Sequence, residues 1–142
     1  MDLRARTTLV GIALMLTTGL SAQQTPSNPQ NLLGTWRGIS KCSDRVAAPA
    51  CNDEEVVYEF KAGDKSGVIR WMADKIVAGK RESMGELEMS YDAVEACWKA
   101  QFSSPRTTSV WRVVVNGDHL TGTDQLLPGK ETIRQIDARR VR

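Results

Sequence analysis

Along most of this chain apolar and polar residues alternate with a period of two. Glu55 to Lys61 (EVVYEFK) puts Val56, Tyr58 and Phe60 on one side, with Glu59 and Lys61 on the other, as a strand with one buried face requires. Gly85 to Tyr91 (GELEMSY) repeats the pattern, with Leu87, Met89 and Tyr91 opposite Glu86, Glu88 and Ser90. Between them runs the β-rich stretch Gly67 to Val77, and AGKRES is expected to turn the chain back. DAVEA has a helix-capping pattern in Asp92 and Glu95 but is too short to propagate, so it reads as a turn. Further strands are expected over Cys97 to Ser103, Thr108 to Val115, His119 to Leu127 and Glu131 to Val141. SPRT, Asn116-Gly117-Asp118 and PGK punctuate them.

With the opening strand LLGTWRG, Leu32 to Gly38, this makes about eight strands joined by short connections, and no helix long enough to pack. Short connections make successive strands antiparallel neighbours. An open sheet of that kind exposes two hydrogen-bonding edges, which closure removes. The expectation is an all-β, single eight-stranded antiparallel up-and-down barrel. Such a barrel is filled by side chains or holds one small ligand. A two-sheet β-sandwich is the alternative.

The N-terminus breaks the alternation. Met1 to Arg6 carries Arg4 and Arg6, Thr7 to Gly19 is uncharged and apolar or small, and Leu20-Ser21-Ala22 supplies small residues. These are the three parts of a secretory signal peptide, and the apolar part is shorter than the roughly 20 residues a membrane span needs. Residues 1–22 therefore read as a signal peptide cut after Ala22. Residues 23–31 read as a flexible linker and residues 32–142 as the barrel domain, exported to the periplasm or the extracellular space. No membrane insertion is expected after cleavage.

Composition then narrows the classes. The formal charge of +2 falls to about +1 without Arg4, Arg6 and Asp2, far from the basic footprint of a nucleic-acid binder. In an oxidising compartment Cys42 and Cys51, nine residues apart, are expected to form a disulfide, and Cys97 to remain a buried free thiol. No nucleophile elbow, metalloprotease helix or phosphate loop occurs. Asp118 and His119 are neighbours that a strand sends to opposite faces. No catalytic residue, metal site or cofactor is expected, and the acidic run Asp53-Glu54-Glu55 reads as a solvated edge.

In LLGTWRG, Gly34, Trp36 and Gly38 share a face. An inward tryptophan there would plug one end of a barrel, with the glycines clearing room for its ring. Gly34-Thr35-Trp36, together with an arginine on the last strand, Arg139 or Arg140, resembles the calycin superfamily of lipocalins, fatty-acid-binding proteins and avidins. In those proteins such an arginine packs across the tryptophan. The chain departs from lipocalins by ending on its last strand. It departs from fatty-acid-binding proteins in placing the Cys42–Cys51 segment where they carry a helical lid.

The resemblance implies a lipocalin-like carrier for a small apolar molecule, with Trp36, Tyr58, Phe60, Trp71, Met72, Met89, Trp98 and Trp111 available to line a pocket or simply to fill a dry core. The chain also resembles exported bacterial inhibitors of hydrolases, proteases or lysozymes, which implies a protein partner and a role for the tail QQTPSNPQ. LLGTWRG finally resembles the opening of nitrobindin-type haem barrels, which would make His119 an axial ligand, although the continuation ISKC lacks their further glycines.

Overall fold

A computed structural model describes residue 28 and residues 31–142. The signal peptide read over 1–22 lies outside the described residues, as does the 23–31 linker apart from Asn28 and Asn31. Eight strands follow in order: β1 (Gly34–Cys42), β2 (Glu54–Ala62), β3 (Val68–Val77), β4 (Lys80–Asp92), β5 (Cys97–Ser103), β6 (Thr108–Asn116), β7 (His119–Leu127) and β8 (Thr132–Arg140). Each pairs antiparallel with the next, and β8 returns to pair with β1. The sheet is a closed up-and-down barrel, so the two-sheet sandwich is ruled out.

Trp36 stands opposite Tyr58 on β2 and Arg140 on β8, at the point where the barrel closes. Its ring is fully buried and its Nε1–H donates to the Leu32 carbonyl at 2.9 Å. The Arg140 guanidinium lies over it, 4.2 Å from the ring centroid, and donates to the carbonyls of Leu33 (2.6 Å) and Asn31. Arg139 points the other way, into solvent. The neighbouring glycines do a different job from the one the sequence suggested. A Cβ on Gly38 would sit 2.0 Å from the Asp137 carbonyl oxygen, so this residue lets β8 approach β1. Gly34, at φ +117°, leaves space for the Arg140 guanidinium, 3.0 Å from where its Cβ would be.

The β3–β4 turn is tighter than expected. Only Ala78 and Gly79 reverse the chain, both in the left-handed region (φ 48° and 77°). The charged residues after them belong to a strand because Arg81 binds Asp74 (2.6 Å) and Glu59 (2.9 Å) along the barrel's outer face. A bulge opposite Ala73/Asp74 then leaves Met84 unpaired before Gly85.

The two ends differ. At one end meet the β2–β3, β4–β5 and β6–β7 turns and the incoming segment 31–33. There Leu32, Trp36, Phe60, Ile69, Met89, Trp98, Val113, Leu120 and Ala138 form a continuous buried core. The seam between β4 and β5 is paired only beside this core, at Ser90–Lys99, Tyr91–Trp98 and Asp92–Cys97. Toward the other end the two strands part. Cys97 is buried on the outward side of β5, where burial pushes its thiol pKa up and keeps it protonated.

Candidate functional site

Inward positions change character toward the end where β4 and β5 separate. Following each strand from the core, inward parity passes from Trp36 to Ser40 on β1, and from Phe60 through Tyr58 to Glu54 on β2. On β6 it passes from Val113 through Trp111 to Ser109. On β7 it leads from Leu120 to Asp124 and on β8 from Ile136 to Arg134. These residues surround a cavity of about 680 Å³, within the range of small-molecule sites. Its apolar wall includes Trp71, Ala73, Leu87, Phe102, Trp111 and Leu126. Trp71 anchors the aromatic part, edge-on to Tyr58 (5.1 Å between ring centroids) and Trp111 (5.2 Å), with Phe60 stacked on it from the core side (5.8 Å).

The mouth is framed partly by the segment Ala47 to Cys51. The Cys42–Cys51 disulfide ties its two ends, with the Cα atoms 6.0 Å apart. Asp44 accepts from the Val46 and Ala47 amides, Asp53 accepts from the Cys42 amide, and Arg45 donates to the Cys51 carbonyl. Held by these bonds, the loop places Ala47, Ala48 and Ala50 along the cavity. The gap between β4 and β5 adds Gly85, Glu86 and Phe102 to the rim.

Inside lies a polar cluster. Arg134 Nη1 donates to Ser40 Oγ (3.0 Å) and pairs with Glu54 Oε2 (3.3 Å), so Glu54 is an interior group and not the solvated edge expected of the acidic run. Its neighbour Glu55 does face outward and binds Arg37. Tyr58 is held firmly as the neutral phenol: burial raises its pKa far above the ordinary value, against a lowering hydrogen bond with Ser40. Asp124 stands opposite Arg134 in the β7–β8 ladder and opposite Trp111 in the β6–β7 ladder. Burial also raises its pKa, opposed by a Ser109 hydrogen bond and by the Arg134 charge. Its Oδ1 has no protein partner, and neither does the buried Trp71 Nε1–H.

The sequence candidates divide between the two regions. Tyr58, Trp71 and Trp111 line the cavity. Trp36, Phe60, Met89 and Trp98 belong to the packed core, and Met72 lies on the outward side of β3. Ser40, Glu54, Ser109, Asp124 and Arg134 were not singled out from sequence. Their signal was a polar residue on the inward parity: Glu54 is two residues from Val56, Asp124 two from Gly122 and Arg134 two from Ile136. His119, the chain's one histidine, points out of the barrel beside Asp137 (3.1 Å) and lies away from the cavity, where an axial haem ligand could not be supplied by it. Among the described residues no three His, Cys, Asp or Glu side chains converge as a metal site.

No protein-family model and no curated protein sequence matches the chain. Among solved structures the chain is similar to a fatty acid binding protein of Schistosoma mansoni in complex with arachidonic acid. That match has a TM-score of 0.56 and 15% identity, covering 82% of this chain and 100% of the other. It is also similar to fatty-acid-binding protein 1 of Echinococcus granulosus, with a TM-score of 0.51, 14% identity, and 80% and 99% covered. In fold the chain is a small closed β-barrel similar to those two structures.

Proposed function

We propose that this protein is an exported, non-catalytic binding protein that carries a small apolar molecule in the open half of its barrel. The observation that carries the reading is the cavity itself: about 680 Å³, walled by Tyr58, Trp71, Leu87, Trp111 and Leu126, at the end where β4 and β5 part. A dry core of this size would forfeit dispersion contacts all along its lining, whereas a ligand restores them. The similarity to a protein solved with arachidonic acid supports an apolar occupant. The Cys42–Cys51 bond and the N-terminal pattern support export.

The test is native mass spectrometry on protein recovered from its own secretory route. The expected species starts at Gln23, lacks two hydrogens for one disulfide, and carries added mass that is lost on denaturation. A second measurement titrates the delipidated protein with ten-carbon amphiphiles and follows tryptophan emission, since Trp71 and Trp111 line the cavity. A bare mass together with unchanged emission overturns the carrier reading.

A further inference from the structure

The two ends of the barrel differ on their outer surfaces as well as within. In this up-and-down barrel the β1–β2, β3–β4, β5–β6 and β7–β8 connections meet at one end. Residues in or beside three of them, Ala47 to Cys51, Phe102, Thr107 and Leu126, line the cavity, so this is the end at which its mouth opens. Each of the four connections also holds out a large apolar side chain at or beside its turn. Val46 is 95% exposed, Phe102 42%, Val77 41% and Leu127 38%. Three of the connections add a surface cation, Lys80, Arg106 and Lys130, and among the described residues no carboxylate pairs with these side chains. In the β1–β2 loop Asp44 accepts from two amides and Asp53 is bound by Arg45, which leaves Glu82 and Glu131 as the free acids beside the cations. At the closed end the pattern reverses. Each turn there carries a carboxylate, Asp64, Glu95 or Asp118, and each is paired with an arginine or a lysine.

We propose that the open end is a docking face for an anionic lipid bilayer, on which the protein rests while its ligand passes between membrane and cavity; this step rests on the carrier reading above. Apolar side chains on separate turns around an opening do not bury one another. A bilayer surface takes all of them at once, with their apolar atoms at the boundary between headgroups and acyl chains. The free cations beside them then meet lipid phosphates, where each basic residue adds to the attraction. A folded protein partner fits this face less well, because the tips ring a cavity mouth that such a partner would have to plug. The ligand's chemistry points the same way. An apolar molecule leaves water for a bilayer readily, so a mouth held against the bilayer spares it a passage through water. The protein lies on the surface and does not span it.

Vesicle sedimentation tests the face. The delipidated protein is mixed with vesicles of phosphatidylglycerol and phosphatidylcholine in equal parts, and separately with vesicles of phosphatidylcholine alone. Binding to the mixed vesicles is expected to be about ten-fold or more tighter, and to weaken as salt is added. Combining Lys80→Gln, Arg106→Gln and Lys130→Gln is expected to lower affinity for the mixed vesicles about a hundred-fold, at roughly five-fold for each cation. Val46→Asp combined with Val77→Asp is expected to lower it about ten-fold or more. Val94→Asp, equally exposed but at the closed end, is expected to leave it unchanged. All six side chains are exposed, and unfolding midpoints near the wild-type value show that the variants fold. No binding to the mixed vesicles, equal binding to both kinds, undiminished affinity in the cation or the valine variant, or an equal loss in Val94→Asp overturns the docking face. The ten-carbon titration in solution reads the carrier function separately and is untouched by those outcomes. Its failure beside intact vesicle binding overturns the carrier reading alone.

Discussion

The closed and open halves of this barrel are made from the same eight strands, yet they solve opposite problems. In the closed half the packed inward positions are apolar, and Arg140 closes the rim on the same parity. Arg140 lies over Trp36 and binds the carbonyls of the entering chain. In the open half the same inward parity carries Ser40, Glu54, Ser109, Asp124 and Arg134 around unfilled space. Polar groups in that position cost stability unless they are paired. Arg134, Glu54 and Ser40 are paired, whereas Asp124 Oδ1 is not. The fold is anchored at one end, which leaves the other free to hold chemistry that does little for folding.

The sharpest way to break this comparison is to truncate a tryptophan in each half. Trp36→Ala should cost about 3–5 kcal/mol, the usual result of emptying a packed aromatic site, and could leave the protein unfolded. Trp111→Ala should cost much less, about 1–2 kcal/mol, because one side of its ring already faces the cavity. Urea unfolding followed by circular dichroism reads both. Similar losses would mean that the open half is as tightly built as the closed half, and the contrast would fail.

Next in size is the disulfide. Replacing Cys42 and Cys51 by serine should lower stability by about 2.5–3 kcal/mol on the chain-entropy account of a short loop. The closed half should keep its near-ultraviolet signal, because Trp36 and Trp98 lie away from that loop. Loss of binding should accompany the change, since residues 47–51 frame the mouth. Stability lost with binding unchanged would make the loop a clip and not part of the site.

A smaller effect sharpens the reading of the polar cluster. Glu54→Gln leaves Arg134 with Ser40 and without its carboxylate partner. The freed guanidinium should raise decanoate affinity about ten-fold, a change of roughly 1.4 kcal/mol, with little effect on decyl methyl ether. Unchanged decanoate binding would show that Arg134 does not reach the ligand.

How much of this could be read in the sequence follows from the same contrast. The strands were legible because Val56, Tyr58 and Phe60, or Leu87, Met89 and Tyr91, mark the buried face by apolarity alone. The closure was legible in Gly34-Thr35-Trp36 and a terminal arginine, but only the three-dimensional register separates Arg140 from Arg139. The cavity was not legible. Aromatic residues fill a core and line a pocket with the same pattern, so Phe60 and Trp98 could not be told from Tyr58 and Trp111. Polar residues on the inward parity look like breaks in the pattern until the strands are assembled around them. The turn after Val77 was misjudged for a related reason: Lys80 to Ser83 is polar as a loop would be, yet its charges bind across strands.

The smallest expected effect tests the open half most directly. Asp124 is faced by Arg134 from β8, by Ser109 and Trp111 from β6, and by the neutral Tyr58 from β2. Burial dominates this environment and raises the carboxyl pKa above its unfolded value. The folded state thus holds the proton more tightly than the unfolded state does. Its contribution is fully favourable below the unfolded pKa, near 4, and is lost as pH rises through the folded value. At neutral pH, where the unfolded carboxyl is ionised, burying this group is a net cost. Asp124→Asn removes the ionisation and keeps the shape, so it should stabilise the ligand-free protein by about 1 kcal/mol at pH 7. At pH 3.5 most of the advantage should be gone, because the wild-type carboxyl is then largely protonated in both states. Thermal unfolding of the two proteins across that range reads the difference. A variant no more stable than wild type at pH 7 would mean that Arg134 and Ser109 already compensate the buried charge. The open half would then be as well satisfied as the closed half.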